Sequence, residues 1–226
     1  MKPRMLWDMR MRTFLFDLDG TLIDHLPAIH RCYCYTLPKM GLPAPTYEEV
    51  RRAIGGGLPN AMGKFVPADR VDEALAIYLP YWSETMLDGV ALLPGAELLL
   101  RDLKSRAVQT AVFTNKHGSS ARRICDHLGI ASWLDDISGA EDTEWLKPAP
   151  EFNAWMLERL GASTETTCLV GDSPYDVAAA QAGGWKFYGV TTGTHSESEL
   201  REAGAANVEP DLPSWAAKWG FSGSDQ

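Results

Sequence analysis

Long apolar runs are missing from this chain of 226 residues. No stretch approaches the roughly 20 apolar residues that a helix needs to span a bilayer, so membrane insertion is not expected. A secretory leader is missing too: the opening "MKPRMLWDMRMR" is basic, but Asp8 and further arginines interrupt it where a signal needs an apolar stretch of about 7–15 residues. We read a frayed start, with Met1, Met9 and Met11 as alternative initiators, and a cytoplasmic protein. Cysteine is scarce. Cys32, Cys34, Cys125 and Cys168 form no C-x-x-C pair and no zinc spacing with histidine, and in a reducing compartment they read as packing residues. Basic residues are in deficit: 21 Lys and Arg against 30 Asp and Glu give a net charge of -9 and a pI near 5.0. Nucleic acid and anionic membrane surfaces would both be repelled, which leaves a small soluble substrate as the expected partner. What the chain does have is 45% hydrophobic and 10% aromatic residues, enough for the core of one domain carrying a sub-domain.

Short β-branched runs recur along the chain: "TFLF" at 13–16, "QTAVFT" at 109–114, a weaker "LDDIS" at 134–138, "TCLVG" at 167–171 and "KFYGV" at 186–190. Helical patterns at 95–106, 119–130, 150–161 and 173–184 separate them, and several close on glycine. Such alternation predicts βαβ units, hence an α/β fold with a Rossmann-like parallel sheet and helices on both faces. The segment 25–88 breaks the rhythm, with helical patterns and no convincing strand. A connection of that length needs structure of its own. The expected organisation is a core of 1–24 and 89–226 with an inserted α-helical cap over 25–88.

The most telling stretch is "TFLFDLDGTLID", which puts Asp17 and Asp19 two positions apart directly after an apolar strand. A solvated turn is one reading, since Asp and Gly are ordinary turn residues. A calcium loop is another, but Leu22 stands where an EF-hand requires glycine and no glutamate closes the loop. The third reading is a Mg²⁺ site at the carboxyl end of the strand, because a hard cation prefers carboxylate oxygen. Other strand ends weigh toward the third. Thr114 and Asn115 follow "TAVF", Lys147 lies in "LKPAP", and Gly171 and Asp172 follow "TCLV", with Ser173 and Asp176 just beyond. In a parallel sheet these ends share one crevice. Carboxylates, a hydroxyl, an amide and an ammonium together describe a site for a phosphate and a magnesium ion.

The motifs "DLDGTLID", "TN", "KP" and "GDSPYD", in that order, resemble those of the haloacid dehalogenase superfamily, and the resemblance runs from about Thr13 to Trp215. It implies a HAD-like core and a Mg²⁺-dependent phosphatase that works through an aspartyl-phosphate. Asp17 would be the nucleophile, and Asp19 would protonate the leaving oxygen and then activate water. Mg²⁺ would be held by Asp17, the backbone carbonyl of Asp19 and Asp172. Thr114 and Lys147 would stabilise the phosphoryl oxygens, Gly20 and Asn115 would help bind substrate, and Asp176 and Ser173 would support from behind. Asp19 favours phosphate over halide chemistry, since a departing halide needs no proton.

The cap stretch "RRAIGGGLPN" resembles that of phosphoglycolate-phosphatase-like caps, which makes a phosphoglycolate-like monoester the leading substrate. A mobile Gly55–Gly57 linker would place Arg51, Arg52 or Lys64 over the crevice to meet a second anion, unless it is a plain glycine turn. A sugar-phosphate mutase is a weaker alternative, because Leu58 stands where mutases commonly have arginine. A phosphonatase would need a cap lysine, for which Lys64 is a poor candidate. His117 reads as a helix-start or surface residue, and a monomer or homodimer is expected.

Overall fold

The computed structural model describes residues 11–221, so Met1, Met9 and most of the basic leader lie outside the described residues. Six parallel strands form the main sheet in the order β5 (Asp136–Ala140), β4 (Gln109–His117), β1 (Thr13–Phe16), β6 (Thr167–Gly171), β7 (Lys186–Val190) and β8 (Val208–Glu209). β1, β6 and β7 coincide with the runs expected from sequence. β5 begins two residues later than "LDDIS", just after Asp135, which is tied to Thr110 of β4. Its N–H donates to the Thr110 carbonyl at 2.7 Å, and its carboxylate accepts from the Thr110 N–H at 2.9 Å.

Apolar residues run unbroken through β1 because both faces of the sheet are covered. Phe14 and Phe16 join one core cluster and Leu15 the other. On the Phe14 side lie α5 (Ala96–Ser105), α6 (Gly118–His127) and α10 (Leu212–Trp219). On the Leu15 side lie α7 (Pro150–Leu160) and α8 (Pro174–Gly183). A short α9 (Glu197–Glu202) packs with β8 through Leu200 and Val208.

β1 is central, flanked by β4 and β6, so its carboxyl end sits between theirs. Just beyond it, β2 (Ile23–Asp24) pairs antiparallel with β3 (Ala91–Leu92). The chain between these strands is helical: α1 (Leu26–Lys39), α2 (Tyr47–Ala53), α3 (Leu58–Met62), a 3-10 turn and α4 (Val71–Thr85). α2 starts on a capping box, with the Glu49 N–H donating to Thr46 Oγ1 at 3.2 Å and the Thr46 N–H to Glu49 Oε2 at 2.7 Å. No described helix is long and apolar enough to cross a membrane.

Candidate active site

The carboxyl ends of β1, β4 and β6 bring Asp17, Thr114 and Asp172 to one cavity, and the turn before α7 buries Lys147 behind Asp17. Thr114 accepts the Lys116 N–H at 3.3 Å, and its hydroxyl acts to lower the Asp17 carboxyl. Lys147 Nζ lies 2.5 Å from Asp176 Oδ1 and 3.0 Å from Asp17 Oδ1. Its direction to Asp17 makes no hydrogen bond, so Asp17 Oδ1 is a buried oxygen without a hydrogen-bond partner. Asp172 accepts the Thr21 hydroxyl at 3.1 Å and the Thr194 N–H at 3.0 Å.

One ammonium therefore faces three carboxylates: ligand oxygens of Asp17, Asp172 and Asp176 all lie within 4.8 Å of one another. Burial, with Asp176 beside it and Lys147 opposing, pushes Asp17 up to about 6. Burial and the charges of Asp17 and Asp176 raise Asp172 well above the usual carboxylate range. Burial alone would lower Lys147, but Asp17 and Asp176 outweigh it and hold the ammonium charged. An excess of buried negative charge, an orphaned carboxylate oxygen and a set of hard oxygen donors fit a divalent cation. Both oxygens of Asp176 are engaged, one by Lys147 and the other by the Ser173 N–H at 3.0 Å and hydroxyl at 2.6 Å. Asp176 thus bridges Lys147 and Ser173.

Asp19 lines the same cavity but is not part of this cluster. Lys116 Nζ reaches its two oxygens at 2.8 and 3.1 Å, and His25 Nδ1 lies 3.4 Å away. Burial acts to raise the Asp19 carboxyl, but Lys116 and His25 outweigh it and hold it well below the usual range. His25 is fixed through Nε2, which lies 2.6 Å from the Met86 carbonyl; a carbonyl only accepts, so Nε2 carries the proton. Sequence reasoning assigned no role to Lys116, His25, Thr21 or Thr194. Lys116 adjoins the Thr-Asn pair in "TNKH" and His25 ends "DGTLIDH", so position along the chain was the one available signal.

Several expected substrate contacts are used elsewhere. The Asn115 amide donates to the Gly55 and Lys147 carbonyls, each at 3.0 Å, and its oxygen accepts the Lys147 N–H at 2.7 Å. Asn115 thus holds the lysine turn and the glycine loop rather than offering its side chain to substrate. The Gly20 N–H donates to the Ile23 carbonyl at 2.9 Å. Its φ of +84° and the 2.7 Å from an added Cβ to Gly193 Cα show why glycine is needed there. Arg51 and Arg52 do not line the cavity. Both pair with Glu48, and Arg51 also donates to the Thr194 carbonyl at 2.9 Å. The Lys64 ammonium caps the carbonyls of Arg52 and Ala53, away from the cavity. His117 precedes α6 as its N-cap and faces Glu141 at 3.5 Å, while also lining the cavity.

The model of the haloacid dehalogenase-like hydrolases matches residues 14–190. The chain belongs to that family. A phosphoglycolate phosphatase of Rhodospirillum rubrum is 31% identical over 93% of this chain and 91% of its own length. Another, of Aquifex aeolicus, is 31% identical over 78% of this chain and 83% of its own. Among solved structures, a haloacid dehalogenase-like hydrolase from Streptococcus pneumoniae superposes with a TM-score of 0.81 at 25% identity, covering 88% of this chain and 93% of that one. The chain is accordingly a phosphatase of the haloacid dehalogenase-like family.

Proposed function

We propose that the protein hydrolyses small phosphate monoesters through a phosphorylated Asp17, with Mg²⁺ as cofactor and the helical segment between β2 and β3 as a cap over the site. The observation that supports this reading is the meeting of Asp17, Thr114 and Asp172 on one cavity, with the buried Lys147 Nζ 3.0 Å from the proposed nucleophile.

Mg²⁺ would be held by Asp17, Asp172 and the backbone carbonyl of Asp19, and when bound it would offset the repulsion between a carboxylate and a phosphate dianion. An Asp17 oxygen bonds to phosphorus as the bond from phosphorus to the ester oxygen breaks. The departing oxygen takes a proton from Asp19. Lys147 and the Thr114 hydroxyl bind the phosphoryl oxygens and stabilise their charge. Water then attacks phosphorus, gives a proton to Asp19, and the bond from Asp17 to phosphorus breaks, releasing phosphate. The ionised Asp19 held by Lys116 is the form that this second step requires, whereas the first step requires Asp19 protonated, which the contact with Lys116 opposes.

Phosphoglycolate, the substrate in the names of several relatives, is the first compound to assay. Phosphate release should require Mg²⁺, stop on chelation and return on Mg²⁺ addition, and Asp17→Asn should lose roughly 10³-fold or more in kcat. Full activity of Asp17→Asn, or in chelator, would overturn the mechanism.

A further inference from the structure

Opposite the phosphate end, the cavity changes character. Its far wall is built from Ile29 and Tyr33 of α1, Ile54 and Leu58 around the glycine loop, and Tyr78 and Trp82 of α4. The cavity measures about 90 Å³, against the roughly 10–15 Å³ that one water requires on the same measure, so it admits a small organic group beside the phosphate.

One lysine, Lys116, reaches that wall, and it is already paired. Lys116 is held by Asp19 and lies 4.7 Å over the Trp82 ring, and Lys147 is held by Asp176. Arg51, Arg52 and Lys64 are engaged outside the lining, as described above. A second carboxylate or phosphate on the substrate would be stripped of water there with no free counter-charge among the described residues, which is strongly unfavourable. The Tyr33 hydroxyl, buried and without a partner, is a neutral group able to meet a neutral one.

From this wall we infer that the preferred monoester carries an uncharged, largely apolar alcohol, aromatic or branched, seated among Leu58, Tyr33, Tyr78 and Trp82. The inference rests on the phosphatase reading above and narrows its substrate class. Two alkyl esters that need equal help to leave make the fair comparison: 2-phenylethyl phosphate and 2-phosphoglycolate, with a hexose 6-phosphate as a third. Phosphate release with Mg²⁺ should give 2-phenylethyl phosphate at least about tenfold the kcat/KM of either competitor. Preference for phosphoglycolate or the hexose phosphate would overturn the apolar assignment while leaving the phosphatase intact. Hydrolysis of none of the three would overturn the phosphatase reading and this inference with it. Leu58→Arg supplies the missing cation at a partly exposed position. It should raise the phosphoglycolate to phenylethyl ratio of kcat/KM by about tenfold, and an unchanged ratio in a folded variant would count against the assignment.

Discussion

At the residue scale, two carboxylates a single residue apart have been sent into different environments. Asp17 is buried with Lys147, Asp172 and Asp176 and is pushed up, whereas Lys116 and His25 hold Asp19 down. Groups of the same type, driven apart by their neighbours, are suited to different tasks. Asp19→Asn tests the division. With an alkyl phosphate, whose departing oxygen needs a proton, kcat should fall roughly 10²–10⁴-fold. With p-nitrophenyl phosphate, whose leaving group departs as a stable anion, the first step should be nearly spared, visible as a burst of nitrophenol before slow turnover. Equal losses in the first step for both esters would remove Asp19 from the role of acid.

At the element scale, the ends of β4 and β5 are tied tightly enough to fix Lys116. A Cβ on Gly139 would meet the Lys116 carbonyl oxygen at 2.2 Å, so that strand end accepts only glycine. The turn after β5 is closed by Asp142, which accepts both Arg122 terminal nitrogens of α6 and the Gly139 N–H, each at 2.9 Å. Burial acts to raise the Asp142 carboxyl, but Arg122 and that N–H outweigh it, and the group is held below its usual 3.8. A depressed folded value contributes stability above pH 3.8 that is lost as pH falls through the folded value. Asp142→Asn should therefore lower unfolding free energy by about 1 kcal/mol near neutral pH, discounted for partial exposure. The gap should close in strong acid, which urea midpoints at two pH values would show. Element identity was largely legible in advance. α7 and α8 open on proline and end at left-handed glycines, Gly161 and Gly184, signals that act within a few residues. β2, β3 and β8 were not legible, since a strand of two residues has no periodicity to read.

At the scale of the whole molecule, one apolar cluster joins the sheet to the helical insertion. It contains Phe14 and Val112 of the sheet together with Tyr33, Met62 and Trp82 from the insertion. Shared burial of this kind couples the two parts, so urea unfolding should follow a single transition, with coincident midpoints by far-UV circular dichroism and tryptophan fluorescence. Two separated midpoints would show that the insertion melts by itself. The coupling also places Trp82 both in the core and on the cavity wall, so packing of the insertion sets the shape of the leaving-group site.

The sequence alone determined the βαβ order, the helical character of 25–88 and the place of Asp17 and Asp172 just past the ends of β1 and β6; Thr114 instead lies within β4 and Lys147 in the turn before α7. The features so determined follow from local periodicity, and a parallel sheet turns shared strand ends into shared location. Tertiary structure decided which side chains remained available once folded. Asn115, Arg51 and Arg52 were claimed by Lys147, Glu48 and nearby carbonyls, while Lys116 crossed 97 positions of sequence to reach Asp19. Hydrogen bonds and ion pairs form with whatever acceptor the fold brings within about 3 Å. That proximity is a property of the packed chain, with no counterpart in the spacing of its residues.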